Sequence, residues 1–237
     1  MMATETTDPP QRSFAESTAA SALLALITDG PYLPWGAGVM RPGGLVAVCN
    51  DVVLHGRRAV VELGGGTSTV LLARLLRQRW PAGGARHIVV EHDLTWASWL
   101  TEQLAREGLD DRVSLVHAPL TPHPLAVAGL DWYDEDRLQA GLDEALAGEA
   151  VDLLVVDGPP ADTAARVLAR FPALPALSSR LAPGATVVLD DVERPGETEV
   201  LRRWESELPV RFERREKAAG IALGTVPAEG LTAAATT

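Results

Sequence analysis

Four carboxylate residues stand where short β-branched runs end, and their positions are those at which side chains could do chemistry. They are Glu91, Asp157 and the adjacent pair Asp190 and Asp191. If the last three converge, two carboxylates about 4 Å apart repel by about 4 kcal/mol at an effective dielectric of about 20, so the group needs a bound cation or a raised pKa. Carboxylate oxygens suit Mg²⁺ or Mn²⁺. Adjacent strand residues point to opposite faces, so Asp190 and Asp191 converge only if their strand has already ended.

The segment Val60 to Thr69 joins an apolar run to a helix start through three consecutive glycines, Gly64 to Gly66. Glycines let the backbone turn sharply and lie against a ligand, and the following helix offers unpaired N–H groups. Glu62, ahead of the turn, suits a cationic ligand. A dinucleotide site instead keeps the helix end open to pyrophosphate and usually has a third glycine, where this chain has Ser68 or Thr69. A plain tight turn is the alternative for such a motif taken alone.

Strand-like runs alternate with amphipathic stretches from residue 59 onward. Runs this apolar are typical of a parallel sheet covered on both faces, and strand–helix alternation with right-handed crossovers builds a doubly wound α/β fold. Ligands then lie at the carboxyl ends of the strands. Strands are predicted at 59–63, 88–91, 113–117, 151–157 and 185–190, and helices near 67–79, 95–107, 135–146, 162–181 and 197–208.

Two further runs, Val210 to Glu216 and Ile221 to Val226, are separated by a short turn through Ala218. Strands joined by so short a link must be antiparallel, and with them the mostly parallel sheet reaches seven strands. Apolar spacing predicts two helices ahead of the sheet, over 13–28 and about 43–54. The expected organisation is a disordered tail at 1–12, a helical preface at 13–58, one α/β domain at 59–227 and a second loose end at 228–237.

Composition limits the partners and the compartment. The formal net charge of −11 repels a phosphate backbone, and no stretch gathers arginines into a basic groove, so we expect no nucleic-acid partner. Cys49 is the only cysteine, which excludes an intrachain disulfide and favours a reducing compartment. Apolar runs stay far below the roughly 20 residues that span a bilayer. We therefore expect a soluble cytoplasmic protein with no membrane partner, and a homo-oligomer stays open.

From about residue 59 to 226 the chain resembles the class I S-adenosylmethionine-dependent methyltransferases, in its glycine turn, its acid after the second strand and its terminal hairpin. The resemblance implies their Rossmann-like fold and S-adenosyl-L-methionine as the cofactor. It also implies that Glu91 binds the ribose, that His92 packs on adenine and that Ala118 lies at the adenine edge. The residues expected at the cofactor are Glu62, Gly64, Gly65, Gly66, Thr67, Ser68, Glu91, His92, Ala118 and Asp157.

Within that family the chain is most similar to the cation-dependent small-molecule O-methyltransferases of the catechol and macrocin types. The likeness rests on Val155-Val156-Asp157-Gly158 after the fourth strand and on the run from Leu189 to Gly196 after the fifth. In catechol-type enzymes the matching side chains hold magnesium. The resemblance thus implies a metal site made of Asp157, Asp190 and Asp191, while three separate acids without a metal remain the alternative.

The residue that removes the substrate proton is left open by this resemblance. Catechol-type enzymes have a catalytic lysine where this chain has Pro160, and the only lysine, Lys217, lies at the terminal hairpin. Macrocin-type enzymes have a histidine where this chain has Glu193. Glu193 and His123 are the candidate bases beside the catalytic acid Asp157, and a substrate that is already ionised needs no base.

The connection over residues 119–134 is long for a strand-to-helix link and carries His123, Trp132 and Tyr133. Long loops in compact domains are usually functional or disordered. Together with Tyr32, Trp35 and Met40 of the preface, this connection is our candidate for a substrate lid. Ordinary packing is the alternative for any single aromatic residue.

The function expected from these features is O-methylation of a small molecule or peptide natural product, with magnesium-assisted and metal-free mechanisms both open. An NAD-dependent oxidoreductase shares the sheet but differs in the glycine order and the terminal hairpin. An inactive cofactor-binding protein would keep the glycine turn and lose the acids after the fourth and fifth strands, which this chain keeps.

Overall fold

A central sheet of seven strands organises the described part of the chain, which comprises residues 9–36, 38–215 and 219–231 of a computed structural model. Its strands form from the short β-branched runs, which suit a pleated and buried surface. Two further short strands pair with each other outside this sheet. In chain order the strands are β1 (Ala59–Leu63), β2 (Arg86–Glu91), β3 (Val113–His117), β4 (Leu120–Pro122), β5 (Asp131–Tyr133), β6 (Val151–Val156), β7 (Leu181–Leu189), β8 (Phe212–Arg215) and β9 (Ile221–Thr225).

The strand order in the sheet is β3-β2-β1-β6-β7-β9-β8. Strands β1, β2, β3, β6 and β7 are parallel, whereas β9 pairs antiparallel with both β7 and β8. The order reverses between β1 and β6, and a crevice opens at the carboxyl ends of the strands at such a point. The prediction of a doubly wound, mostly parallel sheet with a terminal antiparallel hairpin is confirmed.

Helices cover both faces of the sheet, and strand side chains alternate between the two. Val61 and Leu63 of β1 belong to the core on one face, and Val60 belongs to the core on the other, as the two-residue period of a strand requires. None of the helices in the described ranges is long and apolar enough to cross a membrane. The helices are α1 (Pro9–Ala22), α2 (Leu24–Ile27), α3 (Pro42–His55), α4 (Thr67–Arg79), α5 (Leu94–Arg106), α6 (Glu135–Leu146), α7 (Ala173–Leu177) and α8 (Pro195–Glu207).

A buried ion pair holds the preface helices against the sheet domain. Arg74 of α4 donates from Nε and Nη2 to the two carboxylate oxygens of Glu107, at 2.7 and 2.8 Å. Its guanidinium also donates to the backbone carbonyls of Leu26 and Pro31, at 2.8 and 3.1 Å. Arg74 therefore fixes the stretch of chain that leads from α2 to the crevice.

Residues 162–181 differ from the single long helix that the sequence predicts. Turns lead into the five-residue helix α7 and a 3₁₀ turn at Ser178–Arg180, and β7 begins directly afterwards. Pro172 and Pro175 explain the difference, because a proline has no N–H to donate to a helix interior. A second unpredicted feature is the antiparallel pair of β4 and β5, which folds the connection over residues 119–134.

Some predictions concern residues outside the described ranges. They are the tail segments 1–8 and 232–237, the lysine Lys217 and the turn residue Ala218. Helix α1 begins at Pro9, inside the predicted tail 1–12. Proline suits the first positions of a helix, where its missing N–H costs no hydrogen bond.

Candidate active site

The glycine turn after β1 lies directly against the loop that follows β6. Gly64 has a φ of 87°, a left-handed conformation that favours glycine. A Cβ at this position would lie 2.8 Å from the backbone nitrogen of Gly158, closer than side chains are found in proteins. Only a residue without a side chain permits this crossing, and it brings the carboxyl ends of β1 and β6 together.

Glu62 lies behind the glycine turn and is not among the residues that line the two cavities at the strand ends. Its carboxylate is fully buried and accepts hydrogen bonds from the hydroxyls of Ser68 and Thr69, at 2.5 and 2.7 Å. The ring nitrogen Nε2 of His87 lies 3.1 Å from the same carboxylate. Glu62 therefore holds the start of α4 in place, and the expected contact with the cofactor stays a prediction.

Glu91 ends β2 and faces the glycine turn. Its carboxylate accepts hydrogen bonds from the backbone N–H groups of His92, Asp93 and Gly65, at 2.7, 2.8 and 3.1 Å. Burial alone would raise the pKa of Glu91, but these bonds and the nearby His92 side chain lower it below its ordinary value. The Glu91 carboxylate is therefore fixed and ionised. Ala118, which donates its N–H to the Glu91 carbonyl at 3.0 Å, is fully buried beneath it.

Two adjoining cavities occupy the crevice at the carboxyl ends of β1, β2 and β6. The first has a volume of about 510 Å³ and brings together the expected cofactor residues Gly64, Gly65, Glu91, His92 and Asp157. The second has a volume of about 390 Å³, and Gly66, Thr67 and Ser68 at the start of α4 line it. The preface covers this second cavity with Trp35, Val39 and Met40. The crevice thus joins most of the residues that the sequence assigns to one ligand.

Trp96 lines both cavities and was missed by the sequence argument. Its indole Nε1 donates to the carbonyl of Gly65 at 2.6 Å, so that helix α5 is tied to the glycine turn. Its ring stacks on Trp99, with 4.5 Å between the ring centroids. A tryptophan in the first turn of the helix that follows Glu91 was the available signal.

The acids after β6 and β7 converge, as the proposed metal site requires. Strand β7 ends at Leu189, and Asp191 has a φ of 61°, so the chain has left the strand before the second acid. One carboxylate oxygen each of Asp157, Asp190 and Asp191 lies within 4.8 Å of the others. Burial and repulsion from Asp190 raise the pKa of Asp157 well above its ordinary value, and burial and Asp191 raise the pKa of Asp190 to about 6.

An arginine that the sequence argument missed lies among these acids. The side chain of Arg170 is 4% exposed, with Nη2 3.1 Å from Asp157 Oδ1 and Nη1 3.1 Å from Asp191 Oδ2. Arg194 also contacts Asp191, at 2.8 Å. The signal in the sequence was a single arginine within the apolar run Ala169 to Pro172, since an arginine in such surroundings is buried only with partners.

The charges of this cluster leave room for a divalent cation. Glu197, whose side chain is 1% exposed, lies 3.8 Å from Arg170 Nη1 and 3.7 Å from Arg194 Nη1. With the acid triad it gives four carboxyl groups against two guanidinium groups. Burial raises the pKa of Glu197 to about 7 and that of Asp190 to about 6, so a bound cation would be needed to keep all four ionised. Carboxylate oxygens are the ligands that Mg²⁺ and Mn²⁺ prefer. The residues present therefore fit a divalent cation in both donor type and charge.

The two candidate bases lie in different places. His123 is 3% exposed, with Nε2 3.0 Å from a carboxylate oxygen of Glu135, and its ring contacts Trp132 edge-on. It is not among the residues that line the two cavities. Glu193 follows the acid triad and lies 3.4 Å from Arg41 Nη2. The role of each as a base stays a prediction.

The candidate lid is only partly in a position to cover the crevice. Trp132 and Tyr133 are fully buried in the core, so the expectation of a lid is wrong for these two residues. Trp35 and Met40 line the second cavity. Thr67 holds this part of the preface, since its hydroxyl donates to the carbonyl of Pro34 at 2.6 Å.

Comparison with known proteins gives a family match and a shared fold. A family model described as a methyltransferase domain matches residues 61–192. No curated protein sequence matches the chain at a significant level. Similar solved structures include an O-methyltransferase from Bacillus cereus in complex with SAH (20% identity, TM-score 0.53, covering 94% of this chain and 93% of that one). The O-methyltransferase TomG from Streptomyces achromogenes, involved in tomaymycin synthesis and bound to SAM, has 21% identity, a TM-score of 0.56 and coverages of 96% and 100%. The SAH-bound methyltransferase PaMTH1 from Podospora anserina has 14% identity, a TM-score of 0.58 and coverages of 94% and 97%.

Proposed function

This chain belongs to the family of methyltransferase domains, and we propose from that premise that it transfers a methyl group from S-adenosyl-L-methionine to an oxygen atom of a small molecule or a peptide. The observation that carries the proposal is the cavity at the carboxyl ends of β1, β2 and β6, where the glycine turn, Glu91 and Asp157 meet. Two of the structurally similar proteins are O-methyltransferases whose structures contain SAH or SAM.

The cofactor would supply a methyl group on a positively charged sulfur, and the chain's own residues would hold its three parts. Oε1 of Glu91 accepts from the N–H groups of His92 and Asp93 and lies 2.8 Å from His92 Nδ1. Oε2 accepts from the N–H of Gly65 and keeps a second acceptor site for a ribose hydroxyl. His92 lies beside Glu91 at the wall of the first cavity and would contact the adenine. The N-terminus of α4, with Gly66, Thr67 and Ser68, suits the carboxylate of the methionine part.

We propose that Asp157, Asp190 and Asp191 hold a divalent cation, Mg²⁺ or Mn²⁺. Bound there, the cation would lower the pKa of a coordinated substrate hydroxyl. A metal-free mechanism is the second candidate, and the contacts of Arg170 with Asp157 and Asp191 favour it, since they already provide a positive charge to these acids.

Positioning is the main task of the protein in an in-line methyl transfer, and it supplies roughly 7–11 kcal/mol of the barrier reduction. Asp157 lines the first cavity and also the neighbouring cavity that contains Arg170 and Arg194. It is therefore the residue placed to contact both reactants. A general base adds only about 10²–10⁴ in rate, and Glu193 or His123 would take that part.

A small-molecule or peptide substrate is part of the proposal, and a nucleic acid is not. The net charge of −11 opposes binding of a phosphate backbone. A cytoplasmic location rests on the single cysteine and the composition. Whether the chain forms a homo-oligomer stays open.

Calorimetry with S-adenosylhomocysteine and the wild-type chain tests the cofactor site. We expect binding to the wild type and a clear loss in Glu91→Ala, whereas an unchanged affinity in that variant would contradict the assignment of Glu91. Products formed from labelled methyl donor and a pool of candidate metabolites, identified by mass spectrometry, give the substrate. With that substrate, Asp157→Ala should nearly abolish turnover, while Glu193→Gln and His123→Ala should each lower it.

A further inference from the structure

Arg170 joins two loops that are otherwise separate in the sequence. Its Nη2 donates to the carbonyl of Asp157 at 2.6 Å, its Nε to the carbonyl of Pro159 at 3.3 Å, and its Nη1 to the carbonyl of Asp190 at 3.2 Å. The same guanidinium contacts one carboxylate oxygen of Asp157 and one of Asp191, both at 3.1 Å. One side chain therefore fixes the backbone after β6 and after β7, and with it the direction of both carboxylates.

The geometry of these contacts indicates that Arg170 does more than neutralise the charge of the acids. Arg170 donates to three backbone carbonyls, which carry no net charge. A side chain whose only role was to balance the charge of the acids would not need these three hydrogen bonds. The guanidinium is planar, with five donors in fixed directions, whereas a lysine ammonium is a compact point charge. Arg170 contacts Oδ1 of Asp157 and Oδ2 of Asp191, so its guanidinium needs only one oxygen of each carboxylate.

We propose that Arg170 is a positioning residue of the acid triad. It holds Asp157 and Asp191 so that their second oxygens, together with Asp190, receive a divalent cation. This inference rests on the proposed function, which places the cation at the triad. Outer residues that orient metal ligands typically contribute about 10–100-fold to metal affinity.

The two roles that Arg170 could have predict opposite signs for its removal. A guanidinium that only adds positive charge repels a second cation, so its removal would tighten Mn²⁺ binding. A guanidinium that orients the ligands supports the binding, so its removal weakens it. Arg170→Lys separates the roles further, because lysine keeps the charge and loses the fork of donors.

The experiment titrates Mn²⁺ into the full-length chain and follows the free ion by electron paramagnetic resonance. Wild type, Arg170→Met and Arg170→Lys are compared with the matched control Arg194→Met. The side chain of Arg194 contacts Asp191 but is 35% exposed. Among the hydrogen bonds of the described residues, none joins Arg194 to Asp157. We expect both Arg170 variants to lose about 10–100-fold in Mn²⁺ affinity, while Arg194→Met keeps or increases the wild-type affinity.

S-adenosylhomocysteine calorimetry on the same samples separates this inference from the proposed function. Binding to the wild type and to Arg170→Lys shows that the cofactor site is intact, and its absence in the wild type would count against the function itself. The inference is overturned if the wild type binds no Mn²⁺, if Arg170→Met binds it more tightly, or if Arg170→Lys binds it as the wild type does. Should Arg170→Met fail to fold, the lysine variant decides.

Discussion

Replacing Arg74 by methionine should destabilise the protein strongly, because the buried carboxylate of Glu107 loses the guanidinium it is paired with and keeps the neutral donor Gln103. The two side chains are 0% and 3% exposed. Breaking a buried ion pair by removing one partner costs about 3–5 kcal/mol. In a domain of this size each kcal/mol lowers the melting temperature by about 2–4 °C, so we expect a fall of roughly 6–20 °C.

Urea unfolding followed by circular dichroism measures this loss, and two further variants test its cause. Arg106→Met removes an ion pair with Glu102 whose side chains are 66% and 67% exposed, and such helix-surface pairs contribute only about 0.3–0.5 kcal/mol. The double variant Arg74→Met with Glu107→Leu removes the uncompensated charge and should recover part of the stability. Recovery is not complete because the carbonyls of Leu26 and Pro31 still lack their donor.

The crevice should respond to the same substitution. Arg74 binds the carbonyl of Pro31, a few residues before Trp35 and Met40 at the second cavity, so a looser preface should weaken binding of S-adenosylhomocysteine. If Arg74→Met costs no more stability than Arg106→Met, the reasoning that this pair clamps the preface is refuted.

Three further outcomes are expected. Gly64→Ala places a Cβ 2.8 Å from the backbone nitrogen of Gly158, at a φ of 87°. We expect it to lower the free energy of unfolding in urea by more than about 1–3 kcal/mol, and Gly66→Ala, whose Cβ would meet open space, to lower it less. Equal losses would contradict the crossing of the two loops. Because the pKa of Glu91 is lowered, its carboxylate stays ionised below the ordinary value of about 4.3. In calorimetry the ratio of S-adenosylhomocysteine affinities of the wild type and Glu91→Gln should therefore stay constant from about pH 8 to about pH 5 and fall only at lower pH. A ratio that changes near neutral pH would contradict this, whereas a change common to both proteins belongs to another group of the cavity such as Asp157, whose pKa is raised. Burial raises the pKa of Cys49 to about 12, so Ellman's reagent at about pH 8 should label this thiol only after unfolding, and rapid labelling of the folded chain would contradict its burial.

The strands and the acids that end them were predictable from the sequence, because both depend on local composition. A run of β-branched residues is a strand in any context that buries it, and parallel strands bring their carboxyl ends to one edge. Asp157, Asp190 and Asp191 had to meet once β6 and β7 were neighbours. Their convergence needed only that β7 end at Leu189. The chain then turns at Asp191, whose backbone conformation is left-handed.

The buried position of Glu62 was also predictable from the strand pattern, but the prediction did not apply that pattern to this residue. Side chains on a strand alternate between faces, so Glu62 shares the face of Val60, which packs with α4. That placement directs its carboxylate to Ser68 and Thr69 and away from the crevice at the strand end. The pattern that identified β1 thus also separates a residue that supports the site from one that lines it.

The contacts of Arg170 and Trp96 could not be read from the sequence, because they join segments whose relative position depends on tertiary packing. Arg170 lies in the stretch 162–181, where turns replace the predicted helix up to Pro172 and only the short helix α7 follows. A helix there would have placed Arg170 on a regular face. The irregular turns instead carry its guanidinium between the ends of β6 and β7.

The two halves of the crevice are therefore built in different ways. The half around Glu91 is fixed by backbone groups, since three N–H groups hold its carboxylate and the crossing at Gly64 needs no side chain. The half around the acid triad is held by side chains: Arg170, which comes from irregular structure, contacts Asp157 and Asp191, and Arg194 also contacts Asp191. Substitutions in the stretch 162–181 should consequently alter the triad more than the half around Glu91, whose backbone contacts do not depend on that stretch.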